Sequence, residues 1–432
     1  MKYEKLNNEL FIANRKRLAK KMKSNSIAVF TANELMPRSA DATYKWRQNP
    51  DLFYLTGVDQ EETLLIVFPD APLKKWREIL FVKETNEQIK VWEGEKLSIA
   101  EAKDVSGIET VMWSNNFEQM LKTLALQAEH IYLNLNENDR ATSSIWTAEN
   151  VLAHSIKQKF PLHRIERAAP LMAELRAKKS AYEIELTQQA IDITNLAFHR
   201  LLKFVKPTVW EYEIEAEIIH EFIKNKATGH AFGPIVASGA NACVLHYEPN
   251  NKQCKAGDLV LIDYGAEYAN YNADMTRTIP VSGRFTKRQK EVYNAVLSVM
   301  KTATTMMKPG ILLFDYNNSI GEIMEAELVK IKLLKLADIK KQDKERPLYK
   351  KYFPHGTAHF LGLDVHDIGD RYAKLPNGAL LTCEPGIYIP EEGIGIRLEN
   401  NIYVTEKGNI DLMAKVPIEA DEIEELMNKK TK

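Results

Sequence analysis

Two apolar segments of the chain each end in an acidic residue, turn, and return to a second acid. In the first, Asp263 follows the apolar residues 259–262, and Asp274 lies on the returning segment. A turn centred on residues 268 and 269 would place Asp263 opposite Asp274, with Cβ atoms about 5 Å apart. Buried carboxylates so close repel one another, and a divalent cation between them removes that penalty. The spacing indicates a metal site, with a solvated hairpin as the alternative.

A second hairpin of this kind follows later in the chain. Glu384 precedes Pro385, and Glu399 lies on the return strand. A turn centred on residues 391 and 392 puts Glu384 opposite Glu399. Pro385 predicts that Glu384 is extended and lies near a sheet edge or a bulge. Two such pairs suggest a cage of four carboxylates, with ordinary salt bridges at the rim as the alternative.

A histidine-rich block lies just before the second hairpin and contains His355, His359 and His366. His355 and His359 have the spacing of a zinc-binding pair, but Gly356 stands where the H-E-x-x-H motif has its glutamate. Gly356 and Gly362 predict turns rather than a long helix. Four carboxylates with one imidazole form a mainly oxygen site, which suits a pair of Mn²⁺ or Co²⁺ ions better than structural zinc.

Composition limits the class of protein. The 432 residues, 45% of them hydrophobic, suffice for two domains. The 58 Lys and Arg residues balance 59 Asp and Glu residues, so we expect no nucleic-acid partner. The longest apolar runs are of strand length, and the N-terminus has no signal-peptide pattern, so we expect no membrane association. Three cysteines without a C-x-x-C pair predict reduced thiols and a cytoplasmic protein.

The order of strand and helix patterns predicts two domains. Residues 1–168 alternate strand and helical patterns, including a strand predicted over 53–58, which favours an α/β domain. Residues 170–204 have the pattern of one helix that leads into the second domain, residues 169–432. There, Thr208 is the predicted N-cap of the next helix. Helices and strand-and-turn segments around the acids and histidines follow.

These residues resemble a known family. Asp263, Asp274, His359, Glu384 and Glu399 are similar to the metal ligands of the pita-bread metallopeptidases, which include methionine aminopeptidases, prolidases and aminopeptidase P. H-G-T-A-H-F-L-G-L-D-V-H-D, E-P-G-I-Y and G-I-G-I-R-L-E-N resemble the proline-specific signature, and residues 38–57 resemble the N-terminal segment of bacterial aminopeptidase P. The resemblance implies an α/β creatinase-like domain, and an α+β pita-bread catalytic domain with a curved antiparallel sheet.

The resemblance also implies roles for particular residues. The five ligands would hold two divalent ions, manganese first, with cobalt or zinc as alternatives. Besides Glu384 as the base, the implied catalytic and substrate-binding residues are His246, His366, His355, Arg397, Tyr388 and Trp92. Trp92 would close the pocket. The expected assembly is a homodimer or a homotetramer.

The activity implied is metal-dependent hydrolysis of the N-terminal Xaa-Pro bond, which releases the first residue from peptides with proline second. A prolidase, which cuts only Xaa-Pro dipeptides, is the nearest alternative. A non-catalytic peptide-binding relative is another, and a creatinase-type amidinohydrolase a third. The non-catalytic relative and the amidinohydrolase are disfavoured because the full set of five metal ligands is present.

Overall fold

The computed structural model describes residues 3–138, 140–141 and 144–429. The chain forms two compact units, an N-terminal unit over Tyr3–Leu175 and a C-terminal unit that begins at Arg176. The domain boundary expected between residues 168 and 169 stays a prediction. None of the helices in the described part of the chain combines the length and apolarity needed to cross a membrane.

The N-terminal unit is built on a mixed six-stranded sheet. The strands of this unit are β1 (Ser26–Thr31), β2 (Pro37–Ser39), β3 (Ala42–Thr43), β4 (Leu64–Val67), β5 (Glu78–Val82), β6 (Thr110–Trp113), β7 (His130–Leu133) and β8 (Arg164–Arg167). Strands β2 and β3 pair only with one another, outside the six-stranded sheet. Its helices are α1 (Glu9–Ala19), α2 (Pro50–Thr56), α3 (Glu87–Glu93), α4 (Ile99–Ser106), α5 (Phe117–Ala125), α6 (Ala148–Lys159) and α7 (Ala169–Arg176). The sheet order is β6-β5-β4-β1-β7-β8, with parallel and antiparallel pairs. The predicted α/β domain is confirmed.

Helices α5 and α6 bury their apolar side chains against this sheet. Leu121 of α5 and Ile156 of α6 share a buried core with Ile27 and Phe81 of the strands. The rings of Phe81 and Phe117 meet edge to face with centroids 5.3 Å apart. Each such buried side chain contributes about 1.5–3 kcal/mol through burial.

The strand predicted over residues 53–58 is wrong, because most of this segment forms α2. Asn49 caps the helix by accepting hydrogen bonds from two backbone N–H groups of the first turn, and Pro50 follows at the first helical position. Gly57 ends the helix in a left-handed conformation, with φ of 67°. The helix is buried on all sides. A short apolar run without a polar face is ambiguous between strand and helix.

The C-terminal unit combines long helices with small antiparallel sheets. Its strands are β9 (Gly229–His230), β10 (Ile235–Ser238), β11 (Leu259–Tyr264), β12 (Ala266–Tyr268), β13 (Tyr271–Asn272), β14 (Met275–Pro280), β15 (Ala379–Cys383), β16 (Gly386–Ile389), β17 (Ile394–Arg397), β18 (Asn400–Val404) and β19 (Ile410–Asp411). Its helices are α8 (Ala181–Phe204), α9 (Glu211–Lys224), α10 (Lys287–Met306), α11 (Leu313–Lys330), α12 (Leu336–Ile339) and α13 (Ala420–Asn428). The strand orders are β10-β11-β14, β13-β12-β9, β15-β18-β19 and β16-β17. The predicted α+β class is confirmed.

Two helix boundaries differ from those expected. The single helix predicted over 170–204 is divided, because Ser180 forms a capping box with Glu183 and starts α8. Thr208 does not cap the next helix. Its φ is 80°, outside the range of an N-cap, and α9 begins at Glu211.

Candidate metal and substrate site

The first acidic hairpin has a different register from the one expected. Asp263 pairs with Thr276 rather than with Asp274. The turn is centred on Ala269 and Asn270, both with positive φ, as in a type I′ turn. The predicted register is therefore wrong by two residues. Because side chains alternate with a period of two, a shift of two residues keeps each acid on its predicted face.

The two backbone segments of this hairpin approach one another closely at Gly265, between β11 and β12. A Cβ atom at this position would lie 1.7 Å from the carbonyl oxygen of Ala273. The next residue, Asp274, is held by Asn401 of β18, whose Nδ2 donates to Asp274 O (2.6 Å) and whose Oδ1 accepts from Asp274 N (3.2 Å). The backbone of Asp274 is thus fixed by a strand of the second hairpin.

The second acidic hairpin has the expected register. The β16–β17 ladder pairs Gly386 with Arg397, and the β15–β18 ladder continues in the same register on its other side. Glu384 and Glu399 lie in the interval between the two ladders, opposite one another in that register. The predicted register of this hairpin is confirmed by the two flanking ladders.

Ligand atoms from both hairpins converge with an imidazole. Asp274, His359 and Glu399 each place a potential ligand atom within 4.8 Å of the other two. His359 Nε2 lies 3.4 Å from Asp274 Oδ2 and 3.8 Å from Glu384 Oε1. His359 Nδ1 donates to the Phe360 carbonyl at 2.9 Å, so Nε2 is the ring nitrogen that faces the acids. Metal-binding histidines use the same arrangement.

Asp263 is held on one side only. Its Oδ2 accepts a hydrogen bond from Arg397 Nη2 at 2.5 Å. Its Oδ1 is buried and has no hydrogen-bond partner among the described residues. A buried carboxylate oxygen without a partner is costly, and a cation would supply the missing contact. Glu399 Oε2 accepts from Thr276 Oγ1 at 2.7 Å, which aims that carboxylate.

The pKa values of three acids in this site are raised above their usual range. Burial, opposed by Arg397, raises the pKa of Asp263 to about 6. Burial likewise raises the pKa of Glu384 to about 7, with His359 opposing it. Burial, followed by the charges of Asp274 and Glu384, raises the pKa of Glu399 well above its usual range. A divalent cation stabilises the ionised forms of all these groups, so the donor set fits such an ion.

A chain of hydrogen bonds links Asp263 to His355. Arg397 Nη1 donates to the Tyr388 hydroxyl at 2.9 Å, and this hydroxyl lies 2.8 Å from His355 Nε2. His355 Nδ1 donates to the Gly356 carbonyl at 2.8 Å, so Nε2 accepts from Tyr388. Burial lowers the pKa of His355 to about 3. His355 is therefore a neutral imidazole with both nitrogens engaged, which distinguishes it from His359.

The other two histidines of the predicted site border the ligand cluster. The exposed His366 meets His359 edge to face, with ring centroids 4.5 Å apart. The exposed His246 precedes Tyr247, which packs with Tyr388 in one hydrophobic cluster. Trp92 belongs to α3 of the N-terminal unit and is 84% exposed. Its closing of the pocket stays a prediction.

Two polar residues that contact predicted metal ligands are absent from the sequence-based set. They are Thr276, which donates to Glu399, and Asn401, which holds Asp274. The correct hairpin register would have indicated Thr276, because it is the residue opposite Asp263. Asn401 carries no such signal, since its partner comes from a distant strand.

Comparisons with known proteins agree with this geometry. Residues 185–406 match the model of metallopeptidase family M24, and residues 11–132 match the aminopeptidase P N-terminal domain. The chain is 35% identical to the Xaa-Pro aminopeptidase of Escherichia coli, over 96% of this chain and 97% of the relative.

Solved structures are similar over almost the whole chain. A putative aminopeptidase P from Bacillus anthracis has a TM-score of 0.90 at 34% identity, over 98% of both chains. Zinc-substituted E. coli aminopeptidase P in complex with product has a TM-score of 0.87 at 33% identity, over 99% of this chain and 100% of the other. The chain therefore belongs to metallopeptidase family M24, as a metalloexopeptidase of the aminopeptidase P group with a pita-bread catalytic domain.

Proposed function

We propose that the protein hydrolyses the N-terminal Xaa-Pro bond of peptides at a site for two divalent cations, and so releases the first residue. The observation that carries this proposal is the convergence of Asp274, His359 and Glu399 around one point. It occurs in a chain of the aminopeptidase P group, whose relatives include Xaa-Pro aminopeptidases. Peptides with proline second are the substrates.

Five residues are the proposed ligands. Asp263, Asp274 and Glu399 would hold the ions together with His359 and Glu384, and each carboxylate or imidazole would supply one or more ligand atoms. The unpartnered Oδ1 of Asp263 and the position of His359 Nε2, which faces Asp274 and Glu384, support this assignment. Manganese is the proposed metal because oxygen donors predominate, with cobalt and zinc as alternatives.

The chemistry of the reaction is divided between the ions and the protein. When bound, the ions supply an activated water and a Lewis acid for the scissile carbonyl. Glu384 is the proposed base, which takes the proton of the attacking water and passes it towards the proline nitrogen. The proline nitrogen leaves as an amine when the C–N bond breaks, so it needs this proton.

The histidines and Arg397 act on the substrate and on one another. His246 and His366, both exposed beside the cluster, are proposed to position the proline and to stabilise the charge that develops on the tetrahedral intermediate. Both ring nitrogens of His355 are already bonded, so His355 supports the site by orienting Tyr388 rather than by transferring a proton. Tyr388, together with Trp92 of a neighbouring subunit, is proposed to line the substrate pocket.

The test compares Gly-Pro with Gly-Pro-Xaa and longer Xaa-Pro peptides after reconstitution with Mn²⁺. We expect release of the first residue from the tripeptide and longer chains, and loss of activity with a chelator. Asp274→Ala and His359→Ala should lose metal, measured by elemental analysis of the purified variants. Cleavage of the dipeptide alone would assign a prolidase. Metal-loaded protein that cleaves none of these peptides would exclude the proposed activity.

We further propose a cytoplasmic homodimer or homotetramer. Cys243, Cys254 and Cys383 are free thiols, as in proteins of a reducing compartment. The neighbouring Val91 and Trp92 are 79% and 84% exposed, and contiguous apolar surface of this kind favours burial by a neighbouring subunit. Light scattering coupled to size-exclusion chromatography measures the mass of the assembly, and a monomer would contradict the proposed homo-oligomer.

A further inference from the structure

Residues 360–367 form a short loop that joins two histidines of the site. His359 precedes this loop, and His366 lies near its end. The Phe360 carbonyl accepts two hydrogen bonds at 2.9 Å, one from His359 Nδ1 and one from the backbone N–H of Asp367. The rings of His359 and His366 are in contact. The position of Asp367 therefore affects the orientation of both imidazoles.

Asp367 is held by two buried cations. Lys179 Nζ donates to Asp367 Oδ2 at 2.6 Å. Arg176 Nη2 bonds both Asp367 Oδ1 and, at 2.8 Å, Asp364 Oδ2. The side chain of Asp367 is 0% exposed, and those of Arg176 and Lys179 are 2% and 3% exposed. Burial alone would raise the pKa of Asp367, but the two cations outweigh it and the pKa is lowered.

The middle of the loop is fixed as well. A Cβ atom on Gly362 would lie 2.3 Å from Asp367 Oδ2 and 2.6 Å from Lys179 Nζ, so the cluster closes over a glycine backbone. Asn272 Nδ2 donates to the carbonyls of Gly362 and Leu363. The desolvation of buried ion pairs offsets much of their attraction, so they are a weak source of stability. The buried ion pairs of Arg176 and Lys179 with Asp367 are therefore better explained by the position in which they hold the loop than by a gain in stability.

We propose that Arg176 and Lys179 are positioning residues of the reaction, which act through Asp367 and the Phe360 carbonyl to aim His359 at the metal and His366 at the substrate. This inference rests on the proposed function for the roles of the two histidines. It assigns a role to the end of α7 and to the linker that precedes α8, a segment remote in sequence from the hairpins.

The test replaces Lys179 by methionine, which keeps the length of the side chain and leaves Arg176 to balance Asp367. We expect the dissociation constant for Mn²⁺ to rise about 10-fold, as for the loss of other partners of metal-binding histidines. We expect kcat on Gly-Pro-Xaa to fall about 10-fold, because misplaced groups slow the chemical step, while KM changes by less than about 2-fold. The visible spectrum of the Co²⁺-loaded variant should shift, since it reports the ligand geometry.

Arg15→Met is the matched control. Arg15 is a fully buried cation of the N-terminal unit and donates to Glu78 and to two carbonyls. Its loss should lower the melting temperature without changing metal affinity, the Co²⁺ spectrum or kcat. If Lys179→Met fails to fold, Arg176→Lys takes its place, because it keeps the charge and loses the contact with two carboxylates.

The outcomes separate the two proposals. A variant that loses stability but keeps the metal affinity, spectrum and kcat of the wild type would overturn the positioning role. A wild-type protein that binds Mn²⁺ but cleaves no Xaa-Pro peptide would overturn the proposed activity. In that case, the metal affinity and the Co²⁺ spectrum would still decide whether Arg176 and Lys179 orient His359.

Discussion

Arg397 donates from Nη2 to Asp263 Oδ2 across 2.5 Å, while Asp263 Oδ1 is buried with no hydrogen-bond partner in the described part of the chain. The protein therefore neutralises one oxygen of this carboxylate and leaves the other for a cation. Arg397 also donates to Thr276 Oγ1 and to the Tyr388 hydroxyl. One guanidinium thus contacts both a proposed metal ligand, Asp263, and a proposed residue of the substrate pocket, Tyr388.

Arg397→Met should destabilise the metal-free protein more than the metal-loaded protein. Breaking a buried ion pair costs about 3–5 kcal/mol because a charge remains uncompensated. In the metal-loaded protein, the cation compensates Asp263 and the loss should be smaller. Denaturant unfolding in chelator and in excess Mn²⁺ measures both values.

The control for this experiment is Arg288→Met. Arg288 forms a partly exposed, two-point ion pair with Glu392. Such pairs contribute about 1 kcal/mol or less. The loss of unfolding free energy in Arg288→Met should therefore be the same with and without metal. Equal losses for Arg397→Met under the two conditions would contradict the role of the arginine as a counter-charge to the metal site.

Glu384→Gln should lower kcat by about 10²–10⁴-fold, the usual contribution of a general base. Glutamine keeps the size of the side chain but cannot accept a proton from water. Glu391→Gln is the control, since Glu391 lies on the turn of the same hairpin with a side chain 63% exposed. Steady-state kinetics on Gly-Pro-Xaa at saturating Mn²⁺ measures both variants. A Glu384→Gln enzyme with near wild-type kcat would exclude Glu384 as the base.

The registers of the two hairpins show what the sequence could and could not predict. The second turn contains Gly393, which adopts a positive φ without cost, and the register there was predicted correctly. The first turn has positive φ at Ala269 and Asn270. Asparagine tolerates this conformation, but alanine does not favour it. Asn270 therefore favours a turn at this position but Ala269 does not, and this mixed signal explains why the predicted register is wrong by two residues.

Long-range contacts were beyond sequence reasoning. His355 and His359 are equivalent as residue types, and only the partners of their Nδ1 and Nε2 atoms distinguish them. Lys179 and Asp367 are 188 positions apart, and neither segment carries a local pattern that points to the other. Strand and helix patterns located the acids and the histidines. The partners that orient them depend on tertiary packing.

Gly265→Ala should disrupt the first acidic hairpin and weaken metal binding. The new Cβ atom would lie 1.7 Å from the carbonyl oxygen of Ala273, a backbone atom that can move only if Asp274 moves too. Core overpacking of this kind typically costs about 1–3 kcal/mol. Gly233→Ala is the control, because its Cβ atom would meet nothing within 4 Å. Mn²⁺ titration calorimetry should show weaker binding for Gly265→Ala alone, and unchanged affinity would show that the hairpin adapts.

Glu149 gives the N-terminal unit a pH-dependent stability. Its carboxylate is 5% exposed and accepts hydrogen bonds from Asn49, Asn134 and the backbone of Asn136. Burial, followed by the charge of Asp51, raises the pKa of Glu149 from 4.5 to about 7. In the folded state the Glu149 carboxyl thus keeps its proton up to about pH 7, whereas in the unfolded chain it releases the proton near pH 4.5. This contribution to stability is fully present below pH 4.5 and is lost as the pH rises through 7.

The loss expected over that interval is about 3 kcal/mol, from the size of the pKa shift. Glu149→Gln removes the titrating group, so the free energy of unfolding should fall less between pH 4.5 and 8 in the variant than in the wild type. Glu118→Gln, at an exposed pair with Lys159, should keep the wild-type slope. Because all three proteins share the same metal site, the difference between their unfolding curves isolates Glu149. Parallel curves for wild type and Glu149→Gln would mean that Glu149 ionises alike in the folded and unfolded states.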